Sequence, residues 1–69
     1  MKKYDEALEF YQQALEIRQK AKDKEGKATT LNNIGSVYNK LQQYTLAIKS
    51  LKQALAIFKE LKYPLNEAN

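Results

Sequence analysis

Tyr4-Asp5-Glu6-Ala7-Leu8-Glu9-Phe10-Tyr11-Gln12-Gln13-Ala14-Leu15-Glu16-Ile17 returns, forty residues later, as Tyr44-Thr45-Leu46-Ala47-Ile48-Lys49-Ser50-Leu51-Lys52-Gln53-Ala54-Leu55-Ala56-Ile57. Sliding the 69-residue chain by 40 pairs residues 1–29 with residues 41–69, and eight of the 29 pairs are identical. Average residue usage would give roughly two. The match includes small residues (Ala7/Ala47, Ala14/Ala54) as well as large ones (Tyr4/Tyr44, Leu15/Leu55, Ile17/Ile57). Leu8/Ile48 and Tyr11/Leu51 add size-matched apolar pairs. Helical periodicity alone would not match both sizes at once, so a fixed period of this length signals stacked helical repeats.

Around the repeat, apolar residues at three- and four-residue spacing mark three helices. The first covers about Tyr4 to Lys22, with Tyr4, Ala7, Leu8, Tyr11, Ala14, Leu15 and Arg18 in one stripe. Asp23-Lys24-Glu25-Gly26 is the expected polar break. The second covers about Ala28 to Leu41, with Leu31, Ile34, Gly35, Tyr38 and Leu41 in phase. The third covers about Tyr44 to Leu61 and carries Ala47, Ile48, Leu51, Ala54, Leu55, Phe58 and Leu61. Pro64 should terminate it, because the residue before a proline avoids the helical region. No stretch alternates with period two, so the fold class is all-α, three helices in antiparallel hairpins.

Gly35 stands mid-helix, at a cost of about 1 kcal/mol relative to Ala, which suits a close approach by a neighbouring backbone. Ala7 and Ala14, or Ala47 and Ala54, provide small partners, with Tyr11, Tyr38 and Leu51 filling the gaps between. The expected packing residues are therefore Ala7, Tyr11, Ala14, Leu31, Ile34, Gly35, Tyr38, Ala47, Leu51 and Ala54. Gln42-Gln43 is the junction between the second and third helices. Lys40-Leu41-Gln42-Gln43-Tyr44 holds no strong helix breaker, so these two residues are a candidate hinge. If it straightened, residues 28–61 would form one helix able to pair with a second chain, a route to domain swapping.

At these residues the chain resembles the tetratricopeptide repeat family. Leu31, Ile34-Gly35 and Tyr38 are similar to its first-helix pattern; Ala47, Leu51, Ala54 and again Ala7, Tyr11, Ala14 are similar to its second-helix pattern. The resemblance implies that residues 1–22 are the second helix of one repeat, residues 28–62 a complete helix pair, and residues 63–69 the start of a following repeat. The usual family period is shorter, and forty residues resembles the long variant found in kinesin-light-chain-like and many bacterial arrays. Two positions depart from the pattern. Gln42 stands where the family often has Gly, and Lys59 where it often has Pro.

In the family, first helices line a concave groove that grips peptides. The resemblance carries that role onto Thr29, Asn32, Asn33, Ser36, Asn39 and Lys40. These residues also lie opposite or beside the Leu31/Ile34/Tyr38 stripe, and Asn can both donate to and accept from a peptide backbone. Asn33 matches an Asn that some members use against a C-terminal carboxylate, but Asn32 and Ser36 stand where such a site would often need a cation. The implied function is a protein-interaction scaffold with a protein or peptide partner.

Composition narrows the alternatives. With no Cys and no His, the chain lacks a thiol nucleophile, an imidazole base and any disulfide, so it is not expected to be an enzyme. Neither a metal-ligand spacing nor a phosphate-binding glycine loop is present, and no metal or cofactor is expected. Asp5, Glu6 and Glu9 match a helix N-terminus. No stretch could span a bilayer, and acidic residues follow Met1-Lys2-Lys3 where a signal peptide would be apolar; the expected location is cytoplasmic, without membrane contact. The basic run Arg18, Lys20, Lys22, Lys24 and Lys27 contributes to the net charge of +4 but has no interleaved aromatics, which disfavours nucleic acid as a partner. One and a half repeats leave apolar faces uncovered, so self-association is expected, with a dimer favoured. The competing reading is a purely structural or designed repeat unit whose main behaviour is homo-oligomerisation.

Overall fold

The computed structural model describes residues 2–61 of the chain. Three α-helices follow one another: α1 (Lys2–Lys20), α2 (Lys24–Lys40) and α3 (Tyr44–Glu60). α2 lies in the middle and packs on both neighbours, while α1 and α3 do not pack on each other. Lys24 at the start of α2 reaches Glu60 at the end of α3, Nζ to Oε2 2.6 Å, so successive helices run antiparallel. Among the described residues the fold is the expected all-α pair of helical hairpins.

The first break is displaced from its expected place. Asp23-Lys24-Glu25-Gly26 is not a loop; α2 begins at Lys24, about one turn before the expected Ala28. Asp23 caps it, its Oδ1 accepting from the Gly26 amide at 3.0 Å, which satisfies one of the orphan donors at a helix start. Gly26 therefore sits in the first turn of a helix, and a Cβ there would meet the Arg18 guanidinium and the Asp23 carboxyl. The turn is made instead by Lys22, whose φ is 59°.

Both junctions have the same construction, twenty residues apart. Lys22 donates to Gln19 O and Asp23 to Arg18 O; correspondingly, Gln42 donates to Asn39 O and Gln43 to Tyr38 O. Each is a helix C-terminus closed by a left-handed residue, the place where glycine is preferred. Gln42 holds φ 63° there, a region that costs a residue with a Cβ about 1–2 kcal/mol. Gln43 gives α3 no side-chain cap, in contrast to Asp23 at α2. Replacing Gln42 with glycine is expected to raise stability by about 1 kcal/mol, read as a higher urea midpoint with an unchanged slope.

The core is thin and centred on α2. Ala28, Leu31, Ile34, Val37, Ala47 and Ala54 are its buried apolar residues. Ala28, Leu31 and Ala54 form one cluster, against which Leu15 of α1 and Ile57 and Phe58 of α3 pack. The buried Thr30 hydroxyl donates to Gly26 O at 2.9 Å, so a polar group inside the α2 interface is satisfied locally. Gly35 meets α3 rather than α1: a Cβ there would lie 2.8 Å from Leu51 Cγ and 3.2 Å from the Ala47 carbonyl oxygen. Ala7 and Ala14 are only half-buried. Residues 62–69, which include Pro64 and the expected start of a further repeat, lie outside the described residues.

Candidate interaction surfaces

α2 divides sharply around its circumference. Its buried residues (Gly26, Ala28, Thr30, Leu31, Ile34, Gly35 and Val37) take up the arc that meets the two neighbours. Thr29, Asn32, Ser36, Asn39 and Lys40 are all exposed, and at 100° per residue they fall within one contiguous arc. Asn33 is half-buried. It lies on the line Gly26–Thr30–Asn33–Val37, at i, i+4, i+7, i+11, which meets α1 where Gly26 approaches Arg18. Of the six residues expected to contact a peptide, five thus share an open polar strip, and the sixth lies at its edge beside α1. The strip supplies amide donors and acceptors, two hydroxyls and one cation, and no apolar side chain.

A hollow of about 220 Å³ lies at the corner between α1 and α2, lined by Arg18, Gln19, Lys22, Asp23, Lys24 and Lys27. Two of its cations are engaged: Arg18 Nη1 pairs with Asp23 Oδ2 at 3.2 Å and Lys24 with Glu60. The Lys24 hydrogen bond and then its charge hold the Glu60 carboxyl below its ordinary pKa. Both side chains are more than half exposed, so the pair is attenuated by salt. The sign is that of a depressed acid: the contribution is present above the ordinary carboxylate pKa and fades as pH falls through the lowered value. Among the described residues no group of acidic side chains is arranged to hold a metal ion, and no helix is long and apolar enough to cross a membrane.

Apolar faces are left uncovered, as expected of one and a half repeats. The single stripe read on the third helix is split by the structure. Ala47 and Ala54 are buried under α2, whereas Tyr44, Ile48, Leu51 and Leu55 are 55%, 53%, 40% and 46% exposed. On α1 the equivalent residues Tyr4, Leu8, Tyr11 and Leu15 are half-buried under α2. Phe10 and Ile17, outside the expected α1 stripe in the case of Phe10 and unassigned to a face in the case of Ile17, are 72% and 66% exposed. Their counterparts on α3 face α2: Ser50 is buried and Ile57 packs against the core.

The protein-family model described as Tetratricopeptide repeat matches residues 1–60. Neither the curated proteins nor the solved structures give a match.

Proposed function

The chain belongs to the tetratricopeptide repeat family, and from that premise we propose that it is a protein-interaction scaffold that holds an extended peptide along the exposed strip of α2. The reading rests on one observation: Thr29, Asn32, Ser36, Asn39 and Lys40 are exposed together on the one helix that packs on both neighbours. A rigid helix presenting amides and hydroxyls loses little entropy when it binds, which favours recognition of a peptide main chain. Asn33, at the border with α1, contributes from the edge of the strip, and Lys40 supplies the cation for an acidic side chain or terminus.

The test is a peptide selected from a random displayed library against the whole chain. Asn33→Ala with Lys40→Ala is expected to weaken it at least tenfold, since each lost hydrogen bond is worth about 1 kcal/mol and one to a charged group more. Helicity by circular dichroism should not change. Selected peptides that bind the double variant equally well would remove α2 as the site. Binding of nucleic acid with a steep salt dependence would move the function to the basic corner.

A second reading is favoured by the junction between α2 and α3, where a left-handed residue and a missing cap give the kind of hinge through which an element is exchanged between chains. Here the chain forms a homodimer by exchanging α3 through a straightened Gln42-Gln43 hinge. The left-handed Gln42 and the uncapped Gln43 make that junction the weaker of the two. Light scattering over a concentration series should then show a dimer, and Gln42→Gly should shift it towards monomer. A monomer at every concentration would exclude the exchange.

A further inference from the structure

The two helix junctions are one turn built twice, and only the first is ringed by charge. Lys22 and Gln42 close them with the same pair of backbone hydrogen bonds. Around the first, Arg18, Gln19, Lys22, Asp23, Lys24 and Lys27 line the hollow of about 220 Å³. Twenty residues on, the equivalent places around the second hold Tyr38, Asn39, Gln42, Gln43, Tyr44 and Ala47, none of them charged. The turn therefore forms without ionic side chains, and its construction does not require the four cations of the first.

Those cations are only partly neutralised. Asp23 pairs with Arg18 and Glu60 with Lys24, while Lys22 and Lys27 have no ion-pair partner among the described residues. Lys27 acts on Glu60 only through a field weaker than that of Lys24. Glu25 is exposed and does not line the hollow. Four cations against Asp23 and Glu60 leave an excess of two positive charges. Arg18 is seated by Gly26, since a Cβ there would meet its guanidinium. Its pair with Asp23 engages one Nη1 at 3.2 Å, which leaves the other donors of the fork. The Gly26 amide is already taken by Asp23 Oδ1, so the attraction comes from side chains and not from the helix start.

We propose that this hollow binds a phosphate group, gripped by the Arg18 fork and neutralised by Lys22 and Lys27. A phosphate monoester brings close to two negative charges and three acceptor oxygens, which matches the excess; a carboxylate brings one charge. The hollow is smaller than the roughly 300–1,000 Å³ of pockets that enclose drug-sized ligands, so it suits one charged group rather than a whole cofactor. Lys27 precedes Ser36 by nine residues, half a turn in phase, and stands on the side of α2 away from the polar strip. The phosphate is that of the free ion or of a phosphorylated side chain, and the experiment separates the two.

The whole ¹⁵N-labelled protein is titrated at constant ionic strength to about 10 mM, since exposed charges bind weakly. The probes are inorganic phosphate, a glycine pentapeptide with a central phosphoserine, and the same peptide with glutamate in its place. Amide shifts are expected at Gln19, Lys22, Lys24 and Lys27, and none at Asn39, Gln42, Tyr44 and Ala47. Lys22→Gln with Lys27→Gln should weaken phosphate about tenfold. Arg18→Lys, which keeps the charge and loses the fork, should weaken it about threefold. Lys49→Gln with Lys52→Gln removes as much charge from α3 and should change affinity less than about twofold. Tighter binding of the phosphoserine peptide than of phosphate supports the proposal with a phosphorylated partner as the source; the reverse order supports it with the free ion. Absence of shifts, equal shifts at the second junction, equal losses in the two lysine pairs, or equal affinity for the glutamate peptide would each overturn it. So would a single-stranded oligonucleotide that binds the same amides more tightly with a steep salt dependence. Asn33→Ala with Lys40→Ala leaves phosphate binding intact, so failure of the polar strip and failure of the phosphate site are read separately.

Discussion

Replacing Gly35 with valine is expected to leave most molecules unfolded in water at 25 °C. A bare Cβ at this position would lie 2.8 Å from Leu51 Cγ, 2.9 Å from Leu51 Cδ2 and 3.2 Å from the Ala47 carbonyl oxygen. The leucine can swing outward, being partly exposed, but the carbonyl belongs to the α3 backbone and moves only if the helix moves. Alanine gains about 1 kcal/mol of helix propensity over glycine and spends it on that displacement, so Gly35→Ala should change stability by less than about 1 kcal/mol. Valine adds two methyl groups to the same gap, and overpacking of a formed interface costs about 1–3 kcal/mol. A chain of this length has only a few kcal/mol to lose. Urea titration followed at 222 nm checks both variants. A valine protein with the parental midpoint would mean that α2 and α3 do not meet so closely.

Leu31→Ala is expected to cost about 3 kcal/mol, within the range measured for large-to-small changes in cores. Leu31 is 5% exposed and belongs to the cluster that Leu15 joins from α1 and Ile57 and Phe58 join from α3. Its removal leaves a void in the cluster on which side chains of all three helices converge. The contrast is Leu55→Ala, the same chemical change on a side chain 46% exposed, which should cost under about 1 kcal/mol. Equal losses at the two positions would show that α3 turns a different face to α2.

Much of the architecture is legible because periodicity survives in a short chain. The three-helix all-α fold follows from apolar residues at three- and four-residue spacing, and the end of α2 near Leu41 and the start of α3 at Tyr44 follow from where that spacing stops. The start of α2 does not. Gly26 suggests a break, since glycine lacks helix propensity, but Asp23 caps a helix that includes it, and the cap and the tight fit under Arg18 outweigh the propensity cost. The residue that makes each turn is equally concealed: Lys22 and Gln42 adopt the left-handed conformation although neither is a turn-forming type, because the closing backbone hydrogen bonds compensate for the strain. Of the interaction surfaces, the polar strip of α2 is visible in the sequence as the complement of an apolar stripe. The exposed half of the α3 stripe is not, since exposure depends on a neighbour.

The sequence by itself determined the repeat, the helical class, the close approach at Gly35 and the polar character of one α2 face, because all of these are written in local spacing and residue size. It could not decide which side of a repeated helix is buried. The pattern beginning at Tyr4 and the pattern beginning at Tyr44 have apolar arcs wide enough to serve two neighbours, and burial is a property of the pair of surfaces rather than of either one. Only the tertiary arrangement, with α2 between α1 and α3, assigned Leu8 and Leu15 to an interface and left Ile48 and Leu55 open to solvent.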